Sequence, residues 1–175
     1  MRSLKLIIAL AILILCSSCA IYHHYGPYYG KVIDEETKKP LEGVVILANY
    51  YTWLHASPGG PAGYFLDALE VVTDKNGEFR IPSLNAFAFR PLSTFNSYPD
   101  FRIFKPHYKC YLKPMLEDEY ETVELLNLKT KEERIANLRG CYPVSVPDNK
   151  MRKFIELENV EDVDLGLSPR PIRKE

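Results

Sequence analysis

The sequence predicts a mainly β chain, a single antiparallel β-sandwich with one short helix near 131–139. Three observations carry this expectation. Short runs such as Tyr28–Asp34 and Glu78–Ile81 alternate apolar and polar residues, the two-residue period of a half-buried strand. Clusters of Gly, Pro, Asn and Asp punctuate those runs, as in all-β folds. Only Thr130–Gly140 carries both the start and the stop signals of a helix.

In chain order, Arg2 and Lys5 lead into the apolar run Leu6–Leu15, which ends at Cys16-Ser17-Ser18-Cys19-Ala20. That run is well short of the roughly 20 residues a bilayer span needs, so it reads as an export signal. Two cleavage sites compete. Ser18 and Ala20 suit an ordinary signal peptidase, whereas Ser17 and Ser18 before Cys19 resemble the lipobox of bacterial lipoproteins, with Cys16 where Leu is usual. The lipobox reading is favoured: residues 1–18 become a lipoprotein signal peptide and Cys19 the lipid-bearing first residue. Ala20 at the next position implies sorting to the outer membrane, facing the periplasm or the surface. The partner so implied is a membrane, held through acyl chains that each contribute about 0.8 kcal/mol per buried methylene.

Residues 19–27 read as a tether. His23 and His24 point opposite ways on an extended chain, with no free Cys, Asp or Glu nearby to complete a metal site. The body spans 28–163. "YYGKVID" is its first strand, "EETKKPLEG" a turn, "VVILANYY" the second strand, "ALEVVTD" the third, "DKNG" a tight turn and "EFRIP" the fourth. Val32, Val44, Ile46, Leu69, Val71, Phe79 and Ile81 are expected on the internal face. "SLNAFAFRPLSTFNSYPD" has no clear period and reads as an insertion or an ordered rim; "FRIFKPHYKCYL" and "YETVELLNL" are further strands.

For the helix, Thr130 and Glu133 make a capping box, Arg139 suits the C-terminal end and Gly140 can take the left-handed position beyond it. Ile135 and Leu138 form one apolar stripe to dock on the sheet. "MRKFIELENV" is ambiguous between strand and helix, and 164–175 reads as a flexible tail.

The whole chain has a net charge of −1, and loss of Arg2 and Lys5 takes the processed form to −3. No basic stripe points to nucleic acid. With Cys19 modified, Cys110 and Cys141 remain as an even pair in an oxidising compartment, either bridged or as two buried thiols.

Laid end to end, two patterns resemble the carboxypeptidase regulatory-like domain family. The first is Gly30, Val32, Asp34, Thr37, Pro40, Leu41 and Gly43; the second is Thr73, Asp74, Gly77, Phe79 and Ile81. "FKPHYK" resembles the family's Lys-Pro-Gly-Tyr strand, with His107 in the place of Gly. The resemblance implies a transthyretin-like (prealbumin-like) sandwich. The stretch "PGGPAGYF" and the "TKEER" helix further resemble bacterial envelope lipoproteins that carry this domain, which implies an envelope module and no activity.

The chemistry of the residues agrees with a non-catalytic protein that uses no cofactor. The resemblance implies an appendage rather than a peptidase: none of the four His is followed by Glu at the third position, as a carboxypeptidase zinc site requires. The rival is a small periplasmic hydrolase on a transthyretin-like scaffold, whose Tyr-Arg-Gly-Ser signature is not found among the last residues, Pro171–Glu175. No Gly-x-Ser-x-Gly elbow occurs. The carboxylates Glu117, Asp118 and Glu119, and those from Glu156 to Asp164, read as solvated surface rather than calcium ligands. The candidate ligand contacts are Tyr51, Trp53, Tyr64 and Phe65, which bracket "HASPGGPAG" and either hold a protein or glycan partner or fold back over the sandwich end.

Overall fold

A computed structural model describes residues 5–7, 19–55 and 58–172. Most of the signal segment, with both residues of the Ala56-Ser57 pair, lies outside the described residues. Among those described, no helix is long and apolar enough to cross a membrane. The chain is mainly β, 41% strand against 20% helix.

From residue 19 on, the described residues form nine strands, two α-helices and a short 3-10 turn (Asp148–Lys150); the strands and α-helices follow in order: β1 (Cys19–Tyr25), β2 (Tyr28–Asp34), β3 (Val45–Leu54), β4 (Ala62–Val72), β5 (Glu78–Ile81), β6 (Leu84–Pro91), β7 (Ser93–Phe95), β8 (Asp100–Phe104), β9 (Tyr120–Leu125), α1 (Lys131–Cys141) and α2 (Arg152–Asp164). One sheet runs β5-β2-β9, with β2 antiparallel to β5 and parallel to β9. The other runs β4-β3-β7, with β8 also paired to β3; all its pairings are antiparallel.

The period of two in β3 organises everything else. Ile46, Ala48 and Tyr50 point into the core between the sheets, against Val32, Phe79, Ile81, Val123 and Leu125. Val45 and Leu47 point the other way, into a second core closed by Phe154, Ile155, Met151 and Cys141 of the helical layer. The strand is therefore buried on both faces in its first half, which is why it reads as a continuous apolar run. Of the expected internal face, Val32, Val44, Ile46, Phe79 and Ile81 are buried, while Leu69 and Val71 pack against the same core from partly exposed positions.

Turn chemistry follows the sequence motifs. The Asp34 carboxylate accepts from the Thr37 amide at 2.6 Å and the Tyr108 hydroxyl at 3.0 Å, closing the 34–39 turn. In the 74–77 turn only Gly77 has positive φ, +75°, and a Cβ there would lie 2.4 Å from the Val32 carbonyl oxygen. Gly30 is fixed by close approach instead: a Cβ would meet the Glu121 oxygen at 2.0 Å, across the parallel pair. His107, in the place where the resemblance has Gly, adopts φ +70°.

The tether expected at 19–27 is instead largely a strand. β1 pairs antiparallel with β6, inside the stretch without a clear period, in a two-stranded ribbon. Each strand was obscure because one ribbon face is open to solvent: Tyr22, Phe87 and Phe89 stay exposed, so apolar residues do not mark burial.

The ambiguous segment is α2. Its first amides are capped from another element, with the Glu70 carboxylate of β4 accepting from Lys153 N at 3.0 Å and Phe154 N at 3.2 Å. The carboxylates expected on a solvated strand face divide accordingly, with Glu158 and Glu161 buried on the inner side of the helix. Glu117 is also partnered, accepting from Gly26 N and the Tyr28 hydroxyl.

The capping box at Thr130 and Glu133 forms as the sequence predicts, but Gly140 lies within α1 and Tyr142 is its C-cap. Ile135 and Leu138 are only half-buried. Polar and covalent links dock this helix: Asn137 brackets the Tyr108 carbonyl and the Cys110 amide, and Cys141 is bonded to Cys110.

Of the tail expected to be flexible over 164–175, residues 173–175 lie outside the described residues, and the described part, 164–172, is docked through Arg170. Its amide donates to Asn159 Oδ1 at 2.7 Å, its guanidinium lies 4.2 Å from the Tyr142 ring centroid, and it pairs with Asp148. Leu165 is buried beneath the end of α2.

Candidate functional site

The helical layer covers only the first half of the outer face of β3. Beyond Leu47 the same period of two brings Asn49, Tyr51 and Trp53 to that face; Asn49 is buried, whereas Tyr51 and Trp53 are half-buried, with no described helix over them. β4 aligns Phe65 with Tyr51 and Gly63 with Trp53, after a bulge between Tyr50 and Tyr51 that resets the register. β8 sets Asp100 beside Asn49, and Ser145 arrives from the segment after α1. These residues line a shallow pocket of about 200 Å³.

Its floor is aromatic and rigid. Tyr51 and Trp53 meet edge to face, with ring centroids 5.3 Å apart. The Tyr51 hydroxyl donates to Asp100 Oδ1 at 3.2 Å, and Trp53 Nε1 donates to Asn96 Oδ1 at 3.3 Å. Desolvation, then the Asp100 charge, pushes the Tyr51 phenol up to about 12, so it remains a neutral donor at any physiological pH. Gly63 leaves the rings uncovered: a Cβ there would sit 3.7 Å from both Trp53 Cζ3 and Tyr51 Cδ2. At the wall, Asn49 is 4% exposed; its Nδ2 donates to Ser145 Oγ at 3.3 Å, while its Oδ1 has no partner among the described residues.

Three of the four aromatic candidates therefore converge. Tyr64 does not: it pairs with Thr52 on the opposite face, where Arg90 lies 5.4 Å from its ring centroid. Asn49 had a trace in the sequence, as a polar residue inside "VVILANYY"; Asp100 and Ser145 had none, since only chain reversals bring them near.

Of the other candidates, the backbone of Cys19 begins β1 opposite Pro91. Cys110 and Cys141 form a disulfide with a Cα–Cα distance of 5.8 Å. His107, Glu161 and Asp164 place ligand atoms within 4.8 Å of one another. Arg134 claims both acids, at 2.7 Å from each Glu161 oxygen and 2.5 Å from Asp164 Oδ2, so a guanidinium already occupies the carboxylates a cation would need.

A second groove, about 420 Å³, lies between the helices and the tail, lined by Ile135, Leu138, Tyr142, Leu167 and Glu158 among others. Glu158 is 7% exposed and desolvation pushes its carboxyl up to about 7, against a smaller opposing pull from Arg170. The folded state therefore binds a proton that the unfolded chain releases near its ordinary value of 4.5. The stability this proton contributes is complete below that value and is lost as pH rises through about 7. Glu158→Gln is expected to flatten the stability profile over that window and to stabilise the protein at pH 8 by on the order of 1–3 kcal/mol. Denaturation at several pH values checks this; a profile with unchanged slope contradicts it.

No family model matches the chain, and no curated protein matches it. Among solved structures, a 9R-lipoxygenase from Cyanothece PCC8801 is similar over 60% of this chain and 16% of that one, at 15% identity and a TM-score of 0.25. A likeness this slight carries no argument about fold or activity.

Proposed function

We propose that this chain is a non-catalytic, lipid-anchored envelope protein with a transthyretin-like, carboxypeptidase regulatory-like sandwich, and that it binds a glycan on the open half of β3. The observation that supports the reading is the half-buried Tyr51–Trp53 pair lining an open pocket beside Asn49, whose buried Oδ1 has no partner among the described residues. A sugar ring has an apolar C–H face that suits aromatic rings and hydroxyls that suit Asn49, Asp100 and Ser145. A pocket of about 200 Å³ is smaller than the roughly 300–1,000 Å³ of enclosed ligand sites and fits one ring on an open surface. The Asp100 carboxylate at the rim favours neutral or amino-sugar units over acidic ones.

The test is calorimetric titration of the full chain, in detergent, with neutral and amino-sugar oligosaccharides. Trp53→Ala and Gly63→Val are expected to weaken binding about tenfold or more, the first by removing the platform and the second by covering it, which corresponds to about 1.4 kcal/mol. Tyr64→Ala is expected to bind as the parent does. Equal affinity in all three variants counts against the site. The hydrolase rival gains if the chain cleaves an ester, amide or glycoside panel and His55→Ala or His107→Ala abolishes the cleavage.

A further inference from the structure

We infer that the outer face of the β1–β6 ribbon is a membrane-contact surface that lays the domain against the lipid bilayer. The inference rests on the anchored reading above and adds an orientation to it.

The two faces of the ribbon differ in kind. Its inner side is fixed to the body: Tyr25 is fully buried and lies against Tyr50 at 4.8 Å between ring centroids, His23 stacks on Phe95 at 5.5 Å, and Arg90 Nη1 donates to Thr52 Oγ1 at 2.8 Å. The outer side presents Tyr22, His24, Asn85, Phe87 and Phe89. Phe87 and Phe89 are 72% and 76% exposed, Tyr22 is 53% exposed, and Ile21, at the bulge, is 55% exposed. None of these is Asp, Glu, Lys or Arg. Asn85 Oδ1 accepts from the Tyr22 hydroxyl at 3.1 Å and lies 2.7 Å from His24 Nδ1, while Tyr22 and Phe87 pack with centroids 5.0 Å apart. The patch is thus a built aromatic surface, free of acidic, Lys and Arg side chains, rather than a set of loose side chains.

Its position names the occupant. β1 begins at Cys19, directly after the apolar run Leu6–Leu15, and Cys19 pairs with Pro91, next to the exposed Leu92. Whether acyl chains on Cys19 or the apolar run itself enters the bilayer, the chain leaves the membrane at this end of the ribbon. Aromatic side chains with apolar bodies settle at the membrane interface, at a depth of about 5–10 Å for apolar faces lying in its plane. The opposite end of the sandwich, where Tyr108 bonds Asp34 and α2 ends, is the end farthest along β2 from this ribbon.

The experiment uses the full, exported chain reconstituted in phosphatidylethanolamine–phosphatidylglycerol vesicles with brominated acyl chains. In a Trp53→Phe background, one indole is introduced at a time by Phe87→Trp, Phe89→Trp or, as the distant control, Val163→Trp on the exposed side of α2. Expected is loss of about half or more of the emission for the two ribbon indoles, the shallow contact described for interfacial faces, and little loss for the control. Flotation of the same samples separates the two readings. Vesicles that carry the protein with unquenched ribbon indoles overturn the contact surface and leave the anchor standing; protein that does not float overturns both. Unquenched indoles together with intermolecular cross-linking at position 87 assign the face to a second copy and equally overturn the inference.

Discussion

Arg134→Met is expected to destabilise the protein by about 3–5 kcal/mol, the range for breaking a buried ion pair from one side. Glu161 is 1% exposed and Arg134 13%, and the two make a bidentate contact of 2.7 Å on each oxygen. Without the guanidinium, Glu161 retains, among the described residues, the His107 amide at 3.1 Å as its hydrogen-bond donor. Losing the charge but keeping the volume therefore strands a carboxylate in a nearly dry site. The same guanidinium ties α1 to α2 and reaches Asp164, so the loss also frees the contact between the helices. Combining Arg134→Met with Glu161→Leu is expected to recover most of the loss, because well-packed apolar pairs replace buried ion pairs at little cost. Urea denaturation of the two single variants and the double variant measures this. A loss below about 1 kcal/mol for Arg134→Met, the size of an exposed pair, refutes it.

Removing the Cys110–Cys141 bond is expected to cost about 3–4 kcal/mol, from the chain entropy returned to an unfolded loop of 31 residues' separation. The effect falls unevenly on the fold. α1 has half-buried Ile135 and Leu138 for apolar contact, so the bond, Asn137 and the Arg134 ion pairs carry most of its docking. In a Cys110→Ala/Cys141→Ala variant, hydrogen exchange is expected to rise first in α1 amides, while the doubly covered first half of β3 stays protected. Both sulfur positions are sheltered, Cys141 fully, so titration of the folded exported protein should find neither thiol free. Two reactive thiols, or a double variant as stable as the parent, would falsify this reading.

The central strands were readable because their signals are local. β2, β3 and β5 declare themselves through alternation or a continuous apolar run between turns, and the Thr130–Glu133 box marks the start of α1 within four residues of chain. β1 and β6 were not, because period reports burial on one face, and their outer face keeps Tyr22, Phe87 and Phe89 in the open. α2 was ambiguous because its N-terminus has no side-chain cap of its own; Glu70, far back in the chain, supplies it. The docking of 164–172 was not legible because Pro and charge mark mobility only where nothing receives them, and Asn159, Asp148 and Tyr142 receive Arg170.

The site divides along the same line. That Tyr51, Trp53 and Phe65 flank a hairpin follows from sequence; that Tyr64 turns away from them follows from the register of β3 with β4, which a single bulge decides. By itself the sequence determined the sheet class, the core of the central strands and the helix start, since those depend on residues a few positions apart. Only tertiary structure decided which half of β3 the helices leave open, and hence that Asn49, Asp100 and Ser145 surround the rings. That outcome depends on where distant segments stop packing, and no local period encodes it.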